Sequence, residues 1–323
     1  MPHTYRTGHA DRTDNAYTAA LSRRRALAAA LGTAAALTAA PVAAAVPGAP
    51  GEAPARPATG GIRQIPLKGA VNVRDIGGYR ARGHGRVRYG LVYRADALSE
   101  LTDADVARVA GLRLGEVVDF RVPFEVKTDG ADRLPAGLAV TSRSVSDGGQ
   151  YEQMMAAIGS KDPAVQQEAL GNGKAAAAMR TTYRMFVTDA ANRAQFAATL
   201  RDAAYGGRGA LLYHCTSGKD RTGWMTYVLL SLLGVSERDA VGDYLASNTF
   251  RAAHDAQVRE GLRQAGLMRN PELLIPVQEV RMEYLDAARE QVRSAFGSLD
   301  RYVAEGLGVD RRVVKVLRAR LVE

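Results

Sequence analysis

The stretch from residue 209 to residue 224, GALLYHCTSGKDRTGW, constrains the fold more than any other part of this chain. Ala210 to Tyr213 form a short apolar run, which predicts a buried strand, and the segment from Arg221 onward has the length and apolar content of a core helix. The loop between them contains Cys215 at its start and Gly218 in its middle. Because N–H groups in such a loop and in the first helical turn have no intrahelical partners, they can converge on one ligand. The sequence therefore predicts a cradle for an anion such as phosphate.

The residue types in this loop fit phosphoryl transfer. Loop amides and a helix N-terminus favour the thiolate form of a cysteine, so Cys215 is a candidate nucleophile. Arg221 can hold two phosphoryl oxygens through its planar guanidinium, which Lys could not do with the same geometry. We expect the His214 ring to be buried behind the sulfur, and the Thr222 hydroxyl to donate a hydrogen bond to the sulfur when it leaves a phosphocysteine.

Two other interpretations of the loop were weighed. A single Cys in a chain is usually a small buried hydrophobic residue, but its position in this loop with Arg221 favours the nucleophile. A nucleotide-binding Walker loop is excluded, because Gly218 and Lys219 are followed by Asp220 rather than Ser or Thr, and no Gly stands five residues before Gly218.

The stretch from His214 to Gly223 resembles the signature loop of cysteine-dependent protein tyrosine phosphatases, and its Gly-Lys-Asp-Arg-Thr-Gly form resembles the bacterial tyrosine/serine phosphatase family. Two further stretches, Asn72 to Tyr79 and Val118 to Arg121, fit the same branch, and with two C-terminal segments the similarity spans roughly residues 61 to 321. The resemblance implies an α/β fold with a central mixed sheet flanked by helices and a helical C-terminal part. It also implies hydrolysis of phosphomonoesters through a phosphocysteine, with no metal and no cofactor.

The general acid is the least certain role in this reaction. In the family that the loop resembles, the Asp directly before the signature Arg is the proposed acid, which corresponds to Asp220. The alternative is a structural Asp220 that holds the loop, with the acid supplied by Asp75, Asp96 or Asp119. A carboxyl group that acts as an acid near neutral pH needs a pKa raised by burial or by nearby negative charge.

The remaining site residues are expected to bind substrate. The loop amides from Thr216 through Ser217 and Gly218 to Arg221 would stabilise the equatorial phosphoryl oxygens. Lys219 adds a positive charge; in related phosphatases a Lys here accompanies dual specificity and phosphoinositide turnover, although it could also lie at the rim without a selective role.

Two arginines outside the loop are further candidates. Arg74 with Asp75, and Arg121, are expected to help bind substrate, although an Arg beside an Asp is more often a structural ion pair.

The N-terminal residues predict export. Ser22 to Leu27 contains three consecutive arginines, and the Ala- and Leu-rich run that follows ends at Ala45. We interpret residues 1–45 as a twin-arginine-type signal peptide and residues 46–61 as a flexible Pro/Ala/Gly linker, so the protein is expected to be secreted. A membrane anchor is the alternative, but the run is short and Ala-rich for a stable span.

Composition narrows the list of partners. The formal net charge is +9, of which residues 1–45 contribute +3 because they hold five Arg and two Asp. This modest surplus favours anionic substrates, and no Lys/Arg run is interleaved with aromatic residues, so nucleic acid is not expected. Cys215 is the only cysteine, which excludes an intrachain disulfide and a Cys-based zinc site. The sequence predicts no oligomeric state.

The order of elements predicts one phosphatase domain over residues 62–323, with a helical insertion at about 151–188 that is either a lid or a plain structural helix pair. A capping box formed by Thr102 and Asp105 predicts the start of a helix that ends near Ala110. The predicted strands cover residues 62–67, 87–93, 116–120, 138–145 and 210–213. The predicted C-terminal helices cover residues 221–233, 236–247, 252–265, 277–296 and 310–321.

Three functions remain from this reasoning. The first is a secreted protein phosphatase that acts on phosphotyrosine and extends to phosphoserine and phosphothreonine. The second is a phosphoinositide phosphatase that uses the same loop, and the third is a non-catalytic protein that captures phosphorylated partners. The presence of both Cys215 and Arg221 argues against the third.

Overall fold

A computed structural model describes residues 62–207 and 209–323, so the expected signal peptide and linker lie outside the described residues. Within those residues six strands form one mixed sheet, with the order β1-β2-β3-β6-β4-β5. The strands are β1 (Arg63–Gln64), β2 (Arg74–Asp75), β3 (Val92–Ala95), β4 (Leu114–Asp119), β5 (Val140–Ser142) and β6 (Ala210–His214). The pairs β3/β6, β6/β4 and β4/β5 are parallel, while β1 and β2 are antiparallel to their neighbours.

Strand β6 is the centre of the sheet. All five of its residues are buried, which fits a parallel strand covered on both faces and explains why its apolar run does not alternate with polar residues. Its last residue, His214, pairs with Ala95 at the end of β3 and with Asp119 at the end of β4. The carboxyl ends of three strands therefore meet at one edge, where α/β sheets bind their ligands.

Helices cover both faces of this sheet. The helices of the described residues are α1 (Asp103–Ala110), α2 (Pro123–Asp129), α3 (Gln150–Ser160), α4 (Pro163–Leu170), α5 (Lys174–Thr188), α6 (Ala190–Tyr205), α7 (Arg221–Leu232), α8 (Glu237–Gln264), α9 (Ile275–Gln278), α10 (Met282–Phe296), α11 (Leu299–Arg301) and α12 (Arg311–Leu321). Short 3-10 turns cover Arg82–His84 and Pro271–Leu274, and a π-helical turn covers Tyr302–Gly306. In this described part of the chain, no helix has the length and apolar character needed to cross a bilayer. The α/β fold with a central mixed sheet and a helical C-terminal part is confirmed.

Local signals account for several boundaries. Helix α1 begins with the predicted capping box, in which the Thr102 hydroxyl accepts from Asp105 N and the Asp105 carboxylate accepts from Thr102 N. The insertion consists of three helices, not a helix pair, because Asp162 caps a new helix at Pro163 and Gly173, at φ +78°, precedes the next one.

Three boundary predictions were wrong. Helix α8 runs unbroken for 28 residues where two helices were expected, because residues 248–251 contain neither Gly nor Pro to end it. Helix α10 begins at Met282 rather than at Val277, since Asn248 pairs with both the N–H and the carbonyl of Val280 in an extended segment. Strand β3 begins at Val92 because a turn with Gly90 at φ +79° precedes it.

Three buried clusters hold the molecule together. The largest joins one face of the sheet to helices α5, α6, α7, α10 and α12. Of the 12 residues of α7, 11 are buried. A second joins the other face to α1. A separate cluster joins α3 and α4 to the C-terminal half of α8 through residues such as Ile158 and Leu262. The central strand and the helix that follows it are therefore the most deeply packed elements, and they position the loop between them.

Candidate active site

The loop from Cys215 to Asp220 connects β6 to α7 at the carboxyl edge of the sheet. The Cys215 side chain is buried, and Thr216 O accepts from Ala97 N at 3.0 Å, which ties the loop to the end of β3. Gly218 has φ +61°, and a Cβ atom there would lie 2.2 Å from Ala95 O. Only glycine fits this close approach without strain, which explains the small residue in the middle of the loop.

Arg221 is fixed by a carboxylate from another element. Its guanidinium donates to both oxygens of Glu125 on α2, with Nη1 2.6 Å from Oε2. The Thr216 hydroxyl also donates to Glu125, at 2.7 Å. Burial alone would raise the pKa of Glu125, but Arg221 beside it holds the pKa below its usual value. Glu125 therefore stays ionised and fixes the orientation of the planar guanidinium.

His214 lies behind the loop in a network of charged groups. Its Nε2 is 2.8 Å from Asp132 Oδ2, and its Nδ1 is 3.3 Å from Cys215 O. Burial opposes charge on the imidazole, but the Asp132 carboxylate raises the pKa of His214 above its usual value. Asp119, Asp132 and His214 lie close enough to one another to ligate a metal, yet Arg121 donates to both carboxylates. We interpret the group as a charge network in which two carboxylates balance Arg121 and a protonated His214 behind the loop.

Asp220 is the acidic residue whose side chain belongs to the loop itself. One of its oxygens, Oδ2, accepts from Lys219 Nζ at 2.6 Å, and the other, Oδ1, accepts from the Tyr183 hydroxyl at 2.9 Å. Its side chain is 18% exposed, against 2% for that of Lys219. Tyr183 comes from α5, so the helical insertion reaches the loop directly.

Arg74 and Asp75, which were expected to bind substrate, are occupied elsewhere. The Arg74 side chain is fully buried and pairs with Asp243 of α8, whose pKa is lowered to about 2 because two buried arginines outweigh the effect of its own burial. Asp75 accepts from the backbone N–H groups of Gly77 and Gly90, both at 2.8 Å. Neither side chain has a hydrogen bond to the loop within the described residues, and these partners favour a structural role for both rather than the expected contact with substrate.

The other rivals for the acid are also engaged. Asp96 accepts from the backbone N–H groups of Val71 and Asn72, both at 3.0 Å. Asp119 accepts from Arg121 Nε through both of its oxygens. Asp75, Asp96 and Asp119 each accept a hydrogen bond from at least one backbone N–H, whereas both partners of Asp220 among the described residues are side chains.

Several residues around the loop were not singled out from the sequence. Asn72 donates from its side-chain amide to Ser217 O and Gly218 O, both at 3.0 Å, and Arg94 donates to Gly218 O at 2.7 Å. Arg251 Nη1 is 3.4 Å from Ser217 O. Only Glu125 had a usable signal, since Pro at the first position of a helix followed by an acidic residue in the first turn marks a helix start.

Two polar groups near the loop lack a partner within the described residues. The Thr222 hydroxyl is buried and makes no hydrogen bond. Asp129 of α2 accepts from the Tyr151 hydroxyl at 2.6 Å through Oδ1, while its Oδ2 is buried and unpaired. Burial raises the pKa of Asp129 to about 6.

Comparisons with known proteins agree with this geometry. Residues 65–323 match the model of a family described as the tyrosine phosphatase family. A candidate tyrosine-protein phosphatase of Cupriavidus necator is 34% identical over 259 residues, which cover 80% of this chain and 89% of that protein. The triple specificity protein phosphatase PtpB of Mycobacterium tuberculosis is 30% identical over 282 residues, which cover 80% of this chain and 99% of that protein.

Proposed function

Because this chain belongs to the tyrosine phosphatase family, we propose that it is a cysteine-dependent protein phosphatase that acts on phosphotyrosine and, with lower preference, on phosphoserine and phosphothreonine. The observation that carries the proposal is the pairing of Arg221 with Glu125, a carboxylate that also accepts from Thr216 in the loop that begins at Cys215. The pair presents a planar, fixed guanidinium to the space where the loop amides converge, and a phosphate dianion fits such a site.

The reaction has two chemical steps. In the first, Cys215 Sγ attacks phosphorus; the S–P bond forms, the bond from phosphorus to the leaving oxygen breaks, and Asp220 gives that oxygen a proton. In the second, water attacks phosphorus, Asp220 takes its proton, the S–P bond breaks and inorganic phosphate is released. The unpaired Thr222 hydroxyl is available to donate to the sulfur as it departs.

The surrounding residues bind and orient the phosphoryl group. Arg221 and the loop amides from Thr216 to Arg221 stabilise charge on the equatorial oxygens. Asn72 and Arg94 hold the loop carbonyls from behind, so that the N–H groups are free to face the ligand. The Asp132 carboxylate raises the pKa of His214 and so favours the protonated imidazole behind the loop.

The loop composition supports a second substrate class. Lys219 places an ammonium group beside the phosphate site, as in phosphatases that act on phosphoinositides, but here the ammonium is paired with Asp220 and almost fully buried. We therefore rank phosphorylated proteins first and a phosphoinositide second.

The first experiment compares hydrolysis of a phosphotyrosine peptide, a phosphoserine peptide and a phosphoinositide by the wild type, Cys215→Ser and Asp220→Asn, with a metal chelator present. We expect chelator-resistant activity, highest on phosphotyrosine, and its complete loss in Cys215→Ser. Removal of a general acid typically costs about 10²–10⁴-fold, so Asp220→Asn should lose activity chiefly on substrates with poor leaving groups. A wild type that turns over none of the three substrates would contradict the proposal, and a phosphoinositide turned over fastest would reverse the ranking.

We also propose export of the protein through the twin-arginine route, which rests on the arginines at positions 23–25 and the apolar run after them. Residues 1–61 fused to a reporter should carry it across the membrane of a bacterium that has this pathway. Replacement of the three arginines by lysines should stop export, and unchanged export would contradict the route.

A further inference from the structure

A chain of hydroxyl groups leads from the candidate acid into the interior. The Tyr183 hydroxyl is 2.9 Å from Asp220 Oδ1 and 2.8 Å from the Tyr244 hydroxyl. The Tyr244 hydroxyl is in turn 3.2 Å from Arg281 O. Both tyrosine side chains are buried, Tyr183 from helix α5 and Tyr244 from helix α8. Only Tyr183 contacts Asp220 directly, and Tyr244 is linked to the carboxyl group through the Tyr183 hydroxyl.

Counting protons fixes the direction of this chain. Three contacts join the Asp220 carboxylate, the two tyrosine hydroxyls and the Arg281 carbonyl. The carboxylate and the carbonyl can only accept, so the two hydroxyl protons can form only two of the three hydrogen bonds. A hydrogen bond to an ionised acceptor is about twice as strong as one to a neutral acceptor, so Tyr183 gives its proton to Asp220. Tyr244 then gives its proton to Tyr183, and the contact to Arg281 O is left without one. That contact is the longest of the three, as this order requires.

The two hydroxyls keep their protons at all ordinary pH values. Burial, with Asp220 and Tyr244 nearby, raises the pKa of Tyr183 well above its usual value. Burial also raises the pKa of Tyr244 well above its usual value. Tyr183 is thus a permanent donor to Oδ1, whichever protonation state the carboxyl group adopts on its other oxygen.

We propose that Tyr183, supported by Tyr244, is a positioning residue for the general acid: it holds Asp220 Oδ1 in place so that Oδ2, which faces Lys219 in the loop, is the oxygen that exchanges the proton. This inference rests on the proposed role of Asp220. The acid must give up a proton in the first step and take one in the second, and an anchored Oδ1 lets Oδ2 do both without movement of the carboxyl group.

The proposal also assigns a role to part of the helical insertion. Helix α5 packs in the main core, where the Tyr183 ring contacts those of Phe186 and Tyr284, so the hydroxyl is carried by a rigid element. Helices α3 and α4 pack in a separate cluster. Within the insertion, helix α5 therefore positions the acid, while α3 and α4 form a separate pair beside it.

The test uses Tyr183→Phe, Tyr244→Phe and the double variant, assayed on an activated aryl phosphate and on a phenyl phosphate with a poor leaving group. We expect Tyr183→Phe to lower kcat roughly tenfold on the ester with the poor leaving group, because one hydrogen bond to a charged group is lost. On the activated ester, which needs little help from an acid, kcat should fall by less than about twofold. KM should stay within about twofold, because the tyrosine does not touch the phosphoryl group. The basic limb of the plot of kcat against pH should move to higher pH, since the ionised carboxylate has lost a donor.

Tyr244 provides the second arm. Because it acts through Tyr183, Tyr244→Phe should cause a smaller loss of the same kind, and the double variant should lose no more than Tyr183→Phe alone. Tyr284→Phe is the matched control: it is a buried tyrosine in ring contact with Tyr183, and its hydroxyl donates to Pro276 O at 2.9 Å, away from the site. It should change neither the leaving-group dependence nor the pH profile.

Two results would overturn the positioning role while the proposed function stands. The first is an equal loss on both esters in Tyr183→Phe, which indicates a general structural effect. The second is a double variant whose loss is the product of the two single losses. Failure of the proposed function looks different: Asp220→Asn would then keep full activity on the poor leaving group, or Cys215→Ser would remain active.

Discussion

At the scale of single residues, the acidic side chains near the loop differ in what satisfies their oxygens. Both oxygens of Glu125 are taken by Arg221, Thr216 and Val122 N, so this carboxylate is purely an anchor. Asp220 is held through Oδ1 by the Tyr183 hydroxyl and through Oδ2 by the buried ammonium group of Lys219. Asp129 has one buried oxygen with no partner among the described residues. A carboxyl group that must release and take up a proton needs the arrangement of Asp220. The arrangement of Asp129 makes ionisation costly.

Asp129 predicts a pH dependence of stability. Its pKa lies at about 6 in the folded chain, against an ordinary value of 3.8, so the folded state binds the proton more tightly than the unfolded state does. Stability from this group is therefore complete below about pH 4 and falls as pH rises through about 6, by an amount on the order of 2–3 kcal/mol. Asp129→Asn should raise the free energy of unfolding by about 2 kcal/mol at pH 8 and leave it unchanged near pH 4.

Urea unfolding at the two pH values measures this difference. Asp300→Asn, at an exposed position on α11, is the control and should change stability by less than about 0.5 kcal/mol at either pH. Two results would contradict this prediction: a loss of stability at pH 8 in Asp129→Asn, or an equal gain at both pH values. Either would show that the buried charge of Asp129 does not destabilise the wild type at high pH.

Some residues of the site could be predicted from the sequence and others could not. Cys215, Arg221 and Lys219 lie within one short stretch whose spacing carries the chemistry. The fold places Cys215 and Lys219 in the loop and Arg221 at the first position of α7. Asn72 and Tyr183 reach the loop across 146 and 37 residues of chain. The stretch that begins at Asn72 carries the family resemblance but assigns this residue no role at the loop, and a tyrosine on an apolar helix face is common. Their role exists only after the sheet and α5 are packed.

At the scale of elements, the strand–loop–helix unit depends on one glycine. Gly218 combines a positive φ with a backbone carbonyl 2.2 Å from the place of a Cβ atom. Gly218→Ala must therefore either open the loop or push β3 away, and a displacement of about 1 Å in such a site costs on the order of 10²-fold in rate. We expect at least that loss in kcat/KM, together with reduced stability.

Gly83→Ala is the matched control for this change. Gly83 also has a positive φ, +78°, but no heavy atom lies within 4 Å of the place of its Cβ atom. Both variants pay the conformational cost of about 1–3 kcal/mol, and only Gly218→Ala adds a clash. Activity measured with melting curves separates the two effects, and equal kcat/KM in the two variants would show that the close approach does not shape the site.

Element boundaries show where sequence patterns succeed and fail. The start of α1 was predicted because a capping box is a local pair of hydrogen bonds within four residues. The continuity of α8 was not predicted, because residues outside the helix stabilise its middle. Ser247 and Arg251 are buried, and the Ser247 hydroxyl accepts from Arg74. Tertiary packing of this kind overrides a weak local preference.

At the scale of the whole molecule, the cluster that α3 and α4 form with the C-terminal half of α8 is separate from the main core and much smaller. Leu262 of α8 is fully buried in that cluster, and Leu262→Ala should remove about 2–5 kcal/mol of packing energy. Because the cluster is apart from the main core, we expect hydrogen exchange to become faster in α3 and α4 while β6 keeps its protection.

Leu317→Ala, equally buried but in the main core on α12, serves as the comparison. Leu317→Ala should speed hydrogen exchange throughout the sheet, because it lowers the free energy of global unfolding, through which these amides exchange. If Leu262→Ala instead speeds exchange in β6 as much as in α3, the two clusters unfold as one unit and the division is wrong.

The order of strands in the sheet also governs when this enzyme can exist during its own synthesis. Strand β6 lies between β3 and β4, which are joined only through it. A nascent chain that stops short of residue 214 therefore holds two separate pieces of sheet, and contacts of such long range form late because chain closure must come first. The strand that unites the pieces leads directly into the loop with Cys215. A chain that stops before this loop lacks the proposed phosphate site, so the site arises only with the last step of sheet assembly.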